Sequence, residues 1–436
     1  MIKNKKELTT SAAKKYALEL LTAGINAVMP QTIIKNQISL KNSILKIKDK
    51  KFNLKKHKRI FVVGFGKASS DMAQALEKVL KNKITNGIVI ATKPLKLKKI
   101  RLVKGNHPVP SQANINGAKQ ILKLVSNLNK DDLVICLISG GGSAIFTLPA
   151  ENITLNQIQK MTDLLLKSGA TINEINIVRK HMSQVKGGQL AKKVKKATLI
   201  SLILSDVIGD NLDIIASAPT VADKSTFQDA MKILNKYKLI HKAPKRISNH
   251  IMDGVCKKVE ETPSKLPKTI HNILIGNNQS ALEGIAKKAK QLKLKPIIVT
   301  SKLVGEARDV GRSIAKKLKK LKPKQVLIYG GETTVTVKGK GLGGRNQEVI
   351  LSAVEDIKDL KNTAFASVCT DGIDYYKAAG AVIDEKSHLI CKRLKLECEK
   401  YLANNDAFPV LKKIKALIFT GYTGTNVCDI IVGLRL

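Results

Sequence analysis

The chain has 436 residues, of which 43% are hydrophobic and 25% are charged. This composition is typical of a globular protein, and the length predicts two or three domains. No apolar run approaches the roughly 18 residues of a membrane-spanning helix, so we expect no membrane partner. Trp is absent and aromatic residues make up only 3%, so Ile, Leu, Val and Ala must build the core.

The formal net charge of +43 raises the question of a nucleic-acid partner. However, only nine of the 77 basic residues are Arg, the residue that reads bases and binds phosphate through two parallel hydrogen bonds. The lysines are spread along the whole chain, and aromatic side chains that could stack on bases are scarce. The charge therefore indicates a solvated lysine surface and no specific nucleic-acid partner.

The cysteines favour a reducing compartment. The six cysteines form no CxxC pair, and several lie in apolar contexts that suit buried free thiols. The first ten residues, MIKNKKELTT, lack the apolar core of a signal peptide. We therefore expect a cytoplasmic protein.

The first half of the chain alternates short apolar runs with segments of helical periodicity. A helix is predicted over 11–29, and it ends at Pro30. The apolar runs that follow are continuous, which is typical of strands buried on both faces of a parallel sheet. The predicted strands span 60–63, 88–91, 133–138 and 199–204. The predicted helices span 69–81, 113–128 and 155–168.

A second domain is predicted after the polar segment 261–268, which contains two prolines. The alternation of strands and helices restarts beyond this segment. We therefore predict an N-terminal domain over 1–262 and a C-terminal domain over 263–436. The strand candidates of the second domain span 272–276, 296–300, 325–329, 364–369 and 416–420.

Glycine-rich turns follow two of the predicted strands, at the edge where open α/β sheets bind ligands. Gly64 and Gly66 let a ligand approach the start of a helix, and Lys67 adds a positive charge there. Segment 139–143, SGGGS, exposes backbone N–H groups that suit phosphate oxygens. Ser69 interrupts the dinucleotide pattern, and the Walker A pattern is also incomplete. Tight turns with a surface lysine are the structural alternative.

Charged side chains follow other predicted strands. Asp206 and Asp210 could bind Mg²⁺ or cap a helix. Asp371 could bind a metal, act as a base or form an Asx turn. Arg345 follows a glycine-rich loop and could reach a carboxylate or a phosphoryl group, and an exposed hairpin turn is the alternative. The basic segment 176–188 suits the same anionic groups.

Taken together and in order, these segments resemble the glycerate 2-kinase family, whose C-terminal half is called the MOFRL domain. The resemblance covers nearly the whole chain. The matching segments are GFGKAS (64–69), GNHPVPS (105–111), SGGGSA (139–144), INIVRKHMSQVKGG (175–188), SDVIGDNLDIIASAPTVAD (205–223), GGET (330–333), GGRNQE (343–348), CTDGID (369–374) and GYTGTN (421–426). It implies an α/β fold of two domains, with a Rossmann-like parallel sheet in the N-terminal domain, a smaller α/β MOFRL-type C-terminal domain, and a cleft between them.

The resemblance also implies an enzyme, a phosphotransferase with an alcohol acceptor. The expected reaction transfers the γ-phosphoryl group of ATP to the 2-hydroxyl of D-glycerate, with Mg²⁺ or another divalent metal. Glycerate and ATP are then its small-molecule partners, and a homodimer is one open alternative for its assembly. A kinase for a related hydroxy acid and a hydroxypyruvate reductase are the alternative activities.

Residue by residue, Lys67 and Arg345 match the charge-stabilising catalytic residues of the family. The expected nucleotide and substrate contacts are Gly64, Gly66, Ser139, Gly140, Gly141, Gly142, Ser143, Arg179, Lys186, Glu332 and Asn346. The expected metal ligands are Asp206, Asp210 and Asp371. The chain departs from the family pattern at Ala218, where glycine is usual, and at Cys428, where asparagine is usual. It also departs in the loop 375–377, which is one residue shorter.

Overall fold

A computed structural model describes residues 1–194 and 196–436. The strands among these residues are β1 (Ile38–Lys41), β2 (Ile44–Ile47), β3 (Lys50–Asn53), β4 (Arg59–Phe65), β5 (Asn86–Ala91), β6 (Ile100–Lys104), β7 (Asp132–Ile138), β8 (Thr198–Leu204), β9 (Ile270–Gly276), β10 (Lys295–Leu303), β11 (Gln325–Gly331), β12 (Thr363–Cys369), β13 (Gly380–Asp384), β14 (Leu417–Ile418) and β15 (Asp429–Arg435).

The helices connect these strands and cover the sheets. They are α1 (Lys5–Leu8), α2 (Ala12–Ala27), α3 (Pro30–Gln37), α4 (Ser69–Leu80), α5 (Gln112–Ser126), α6 (Gly142–Ile145), α7 (Leu155–Lys167), α8 (Ile172–His181), α9 (Gln189–Val194), α10 (Phe227–Lys236), α11 (Lys245–Val255), α12 (Asn278–Gln291), α13 (Ala307–Leu318), α14 (Arg345–Leu351), α15 (Ser387–Arg393), α16 (Cys398–Ala403) and α17 (Ala407–Lys413).

The chain divides into two compact units. The parallel-sheet unit is Ile33–Ile275, and the mixed-sheet unit combines Met1–Thr32 with Gly276–Leu436. This division differs from the predicted boundary at 262, because β9 adds to the sheet of the parallel-sheet unit beside β8. The N-terminal helix was predicted in the first domain, but it belongs to the other unit because α2 packs against α12, β12 and β15.

The main sheet of the parallel-sheet unit has the strand order β6-β5-β4-β7-β8-β9. The pairs from β6 to β8 are parallel, as the continuous apolar runs predict. The last residues of β4 and β7, Phe65 and Ile138, are partners in the register. The turns that follow these strands therefore begin side by side at one edge of the sheet. A small antiparallel sheet, β1-β2-β3, belongs to the same unit.

The second six-stranded sheet has the order β10-β11-β15-β12-β13-β14. Only the β10–β11 pair is parallel in this sheet among the residues described, and β15 runs antiparallel to both of its neighbours. Asp429 at the start of β15 lies opposite Gly331 on β11 and opposite Cys369 on β12. The segments after β11 and β12 therefore meet Asp429 at one edge.

Glycine allows α2 to pack closely on α12. A β-carbon on Gly24 would lie 2.7 Å from Ile285 Cγ1, and one on Gly284 would lie 2.4 Å from Ala27 Cβ. Helix propensity disfavours glycine at position 24, and the close contact with α12 accounts for its presence there. No single helix in the described part of the chain has the length and apolar character of a membrane span, and α2 and α3 pass that test only as a bent pair.

Candidate active site

Two glycine turns of the parallel-sheet unit are joined by hydrogen bonds. The N–H of Lys67 donates to the carbonyl of Gly140 at 2.9 Å, and the N–H of Ala68 donates to Ser139 Oγ at 3.0 Å. Gly66 has φ = +125°, and a β-carbon there would lie 2.3 Å from Ser139 Oγ. Only glycine fits this approach without a shift of the backbone. The two turns therefore form one continuous backbone surface at the ends of the neighbouring strands β4 and β7.

Two of the other expected contact residues are glycines in close packing. Gly64 lies within β4, and a β-carbon there would be 2.8 Å from Leu137 Cβ on β7. A β-carbon on Gly142 would be 2.6 Å from Ala216 Cβ. Close packing against these neighbours is a sufficient physical reason for glycine at both positions.

A cavity of about 490 Å³ lies beside the second glycine turn. It brings together four of the predicted contact residues, which are Gly141, Ser143, Arg179 and Lys186. His107, a residue of the GNHPVPS segment for which the sequence predicted no role, lines the same cavity. The apolar part of the lining includes Leu148, Pro149, Ile158, Leu166 and Met182. An apolar wall facing a few convergent polar groups is typical of small-molecule sites.

The cavity contains two cations with no carboxylate partner. Lys186 is buried, and its Nζ donates to the carbonyls of Ser143 at 2.6 Å and Phe146 at 2.8 Å. Burial, followed by repulsion from Arg179, lowers the pKa of Lys186 to about 7. Burial also lowers the pKa of Arg179, whose guanidinium has no hydrogen-bond or ion-pair partner among the residues described. Because a buried charge is unfavourable without a counter-charge, this arrangement favours an anionic ligand.

Backbone donors add to these cations. The N–H groups of Gly141 and Ser143 donate to no acceptor in the described chain, while the neighbouring N–H of Gly142 donates to Ser139 O at 3.2 Å. Gly141 has φ = +76°, which lets the turn reverse direction at the start of α6. Unused N–H groups in such a turn suit the oxygen atoms of a phosphate or a carboxylate.

A left-handed segment holds the turn in place. Ala216, Ser217 and Ala218 have φ values of +52°, +61° and +58°, which L-residues rarely adopt. The buried Ser217 hydroxyl lies 2.8 Å from Ser143 Oγ and donates to Asn176 Oδ1 at 3.0 Å. Ala218 stands where the resemblance leads us to expect glycine, which adopts this left-handed conformation without strain. Sequence reasoning singled out no role for Ser217.

In the mixed-sheet unit, Arg345 joins two carboxylates at the start of α14. Its Nε and Nη2 donate to Asp429 Oδ2 and Oδ1 at 2.6 and 3.0 Å, and its Nη1 lies 2.7 Å from Glu332 Oε1. Burial raises the pKa of Asp429 to about 7, although the guanidinium opposes this shift. The structure thus brings the predicted residues Arg345 and Glu332 together around an aspartate that the sequence did not indicate. Asp429 was missed because β15 was not predicted.

Asp374 caps the same helix. Its carboxylate accepts hydrogen bonds from the backbone and side-chain N–H groups of Asn346 at 3.3 and 3.2 Å, and from those of Gln347 at 3.3 and 3.4 Å. Burial raises the pKa of Asp374, and the hydrogen bond from Asn346 opposes that shift. Asn346 is itself buried, and its Oδ1 accepts a hydrogen bond from Ser367. Its side chain therefore fixes Asp374 beside Arg345.

The three candidate metal ligands belong to two units of the chain. Asp206 and Asp210 follow β8 in a turn of the parallel-sheet unit, where the N–H of Asp210 donates to Val207 O at 3.0 Å. Asp371 belongs to the mixed-sheet unit, and its carbonyl accepts a hydrogen bond from the N–H of Thr423 at 3.1 Å. The described residues contain no group of three or more His, Cys, Asp or Glu side chains that could hold a metal ion.

These features define the class of protein. The protein is an α/β protein with unused N–H groups at a glycine turn of a parallel sheet and with an arginine among carboxylates on a second sheet. Such groups suit phosphate or carboxylate ligands. Residues 16–252 match the family model described as "Domain of unknown function (DUF4147)", and residues 325–429 match the MOFRL family.

Similarity to proteins of known name identifies the family of this chain. The chain is 40% identical over 432 residues to a glycerate 2-kinase of Pyrococcus horikoshii, covering 97% of each chain. It is 41% identical over 433 residues to a D-glycerate 2-kinase of Thermotoga maritima, covering 97% of this chain and 98% of the relative. A crystal structure of glycerate kinase from Thermotoga maritima has a TM-score of 0.86 at 39% identity, covering 97% of this chain and 99% of that one. The chain belongs to the glycerate kinase family with a C-terminal MOFRL region.

Proposed function

We propose that this chain is an ATP-dependent glycerate 2-kinase, which transfers the γ-phosphoryl group of ATP to the 2-hydroxyl of D-glycerate. The observation that carries the proposal is the cavity in which Arg179 and Lys186 have no carboxylate partner. Such a pair of cations is stabilised by an anionic ligand. Both ATP and glycerate are anions, and the relatives named glycerate 2-kinase supply this choice of substrates.

Lys67 and Arg345 are the proposed catalytic residues. Phosphoryl transfer depends on positioning and on positive charge near the phosphoryl oxygens, and it needs no covalent intermediate with the protein. Lys67 follows Gly66 in the first glycine turn, and its N–H bond to Gly140 fixes the start of its side chain. Arg345 is held by Asp429 and Glu332, which fixes the orientation of its guanidinium. The N–H groups of the second turn are the proposed contacts of phosphate or carboxylate oxygens.

A divalent metal is part of the proposal. Carboxylate oxygens are the ligands that Mg²⁺ prefers, and Mg²⁺ is commonly held by only one or two carboxylates together with substrate phosphates and water. Asp206 and Asp210 fit this donor set, and Asp371 offers the same chemistry in the other unit. Mg²⁺ bound there would neutralise charge on the phosphates of ATP.

Hydroxypyruvate reductase is the rival activity because it involves a similar small acid. The glycine pattern of a dinucleotide site is broken at Ser69, whose hydroxyl instead donates to the carbonyls of Gly66 at 2.8 Å and Ile90 at 3.0 Å. At the position where the dinucleotide pattern has its last glycine, this chain has a serine whose hydroxyl bonds to its own backbone. The structure therefore gives more support to the kinase.

The two activities are separated by direct product analysis. The purified protein is incubated with D-glycerate, ATP and MgCl₂ while ADP is measured by chromatography, and with hydroxypyruvate and NADH while nicotinamide absorbance is followed. We expect ADP release that needs glycerate and no loss of NADH. Lys67→Met should abolish this release, and Lys96→Met, which removes an exposed lysine, should not. Oxidation of NADH without release of ADP would contradict the proposal.

A further inference from the structure

His107 and Lys67 meet over one residue of the second glycine turn. A β-carbon built on Gly141 would lie 2.8 Å from His107 Cδ2, 3.0 Å from His107 Nε2 and 3.3 Å from Lys67 Cγ. His107 is exposed and lines the cavity that Arg179 and Lys186 also line. The imidazole is therefore accessible to a ligand in that cavity, beside the lysine that we propose as catalytic.

The other titratable groups of the cavity are less suited to accept a proton. Arg179 is a guanidinium, which stays protonated in proteins. Lys186 is buried, and its Nζ is directed at the carbonyl oxygens of Ser143 and Phe146, so it is less accessible to an acceptor hydroxyl than the exposed imidazole of His107. Asp163 lies on the exposed rim, where its Oδ2 accepts a hydrogen bond from Lys167 Nζ at 2.8 Å. Among the described residues that line the cavity, His107 is the only imidazole.

We propose that His107 is the general base of the reaction, an inference that rests on the proposed kinase function. As the acceptor hydroxyl oxygen forms its bond to the γ-phosphorus, the hydroxyl proton passes to a nitrogen of the neutral imidazole. The bond between the γ-phosphorus and the β,γ-bridging oxygen breaks, and ADP leaves with that electron pair. The imidazolium then releases its proton to solvent, so the products are ADP, phosphoglycerate and one proton. Histidine is the side chain most often used for such proton transfer near neutral pH.

The test compares the wild type with His107→Gln in glycerate-dependent ADP release from pH 5 to 9. Glutamine keeps the hydrogen-bonding capacity of the side chain but is not a base. We expect kcat to fall about 100-fold. The KM for glycerate should change by less than about threefold, because the base acts in the transition state rather than in substrate binding. The wild type should lose activity on the acid side as the imidazole is protonated, and this limb should be absent in the variant.

Two further variants separate chemistry from structure. His241→Gln removes an exposed histidine of the same unit, and we expect its kcat and pH profile to match those of the wild type. His107→Ala should regain activity when imidazole is added to the buffer. This rescue decides the question if His107→Gln does not fold.

The outcomes are distinct. A kcat of His107→Gln within about threefold of the wild type would overturn the inference. A lower kcat with the acid limb intact and no rescue by imidazole would also overturn it, because His107 would then only position the turn. An absence of glycerate-dependent ADP release by the wild type would instead refute the proposed function, and this inference with it.

Discussion

Replacement of Arg345 by methionine tests the electrostatics of the mixed-sheet unit. Asp429 is only 3% exposed, and two of the three contacts of the guanidinium go to this carboxylate. Methionine keeps most of the side-chain volume but removes the charge. The variant therefore leaves a buried carboxylate without its cation, and Asp374 lies close enough to add repulsion.

The size of the effect follows from this burial. Removing one partner of a buried ion pair costs about 3–5 kcal/mol of stability, since the other charge stays buried and unpaired. In an exposed pair, Arg312 Nη2 contacts both carboxylate oxygens of Glu399 at 2.8 and 2.6 Å, and the two side chains are 38% and 67% exposed. Exposed pairs contribute about 0–1 kcal/mol, so Arg312→Met is the matched control.

The loss of stability in Arg345→Met should depend on pH in a defined direction. A carboxyl group whose pKa is raised by folding contributes stability at low pH, and this contribution is lost as the pH rises through the folded pKa. For Asp429 the folded pKa is about 7, and without Arg345 we expect it to rise further. The destabilisation by Arg345→Met should therefore be largest at pH 8 and should shrink at pH 5.5, where the carboxyl is protonated in both proteins.

Urea unfolding of the wild type and of both variants, at pH 8 and pH 5.5, measures these differences. We expect Arg345→Met to lower the free energy of unfolding by at least about 2 kcal/mol more than Arg312→Met at pH 8. Equal losses of stability in the two variants, or a loss for Arg345→Met that grows as the pH falls, would show that Arg345 does not stabilise a buried carboxylate of Asp429.

Further predictions concern the glycine turn, the buried lysine and the surface charge. Gly66→Ala should lower the free energy of unfolding by about 2–5 kcal/mol, because Gly66 has φ = +125° and the added β-carbon would collide with Ser139. The control is Gly169→Ala, which should cost about 1 kcal/mol, because Gly169 has φ = +77° but its added β-carbon meets no atom within 4 Å. The folded pKa of Lys186 is about 7, below its ordinary value of 10.5. The stability of the wild type relative to Lys186→Met should therefore increase as the pH rises from 7 towards 10.5. Equal urea midpoint differences at pH 7 and pH 9.5 would contradict this. The net charge of +43 predicts retention on heparin, and retention that survives high salt would indicate a specific polyanion site.

The parallel sheet was readable from the sequence because its strands are buried on both faces. The predicted strand 133–138 and helix 69–81 differ from β7 and α4 by one residue at one end. The turns that follow parallel strands lie at one edge of the sheet, but the pairing of β4 with β7, which brings Lys67 to Gly140, was not predicted. For β7 and α4, the secondary structure that the local sequence pattern favours is the one that the folded structure requires.

Other elements left no such signal. Strands β1 to β3 are short and rich in lysine, and Ser43 and Lys48 have positive φ values that only the structure shows. Strand β15 was not predicted, so Asp429 was missed as the partner of Arg345. The candidate strand 416–420 is reduced to two residues in β14, and the candidate 272–276 is part of β9, in the sheet of the other unit.

The association of the N-terminus with the last third of the chain is a non-local property. Helix α2 was predicted almost correctly from its periodicity, but periodicity does not say which sheet an apolar face will cover. The left-handed conformation of Ser217 has a similar origin, because contacts with Ser143 and Asn176 hold it rather than a local preference.

Transfer of the phosphoryl group to the 2-hydroxyl of D-glycerate can be tested by the identity of the product. The wild type and Lys67→Met are incubated with D-glycerate, ATP and MgCl₂, and the product is passed to enolase, which consumes 2-phosphoglycerate but not 3-phosphoglycerate. We expect an enolase signal that requires glycerate and ATP together and that is lost in Lys67→Met. ADP release without an enolase signal would contradict transfer to the 2-hydroxyl, and an absence of glycerate-dependent ADP release would contradict the glycerate kinase activity itself.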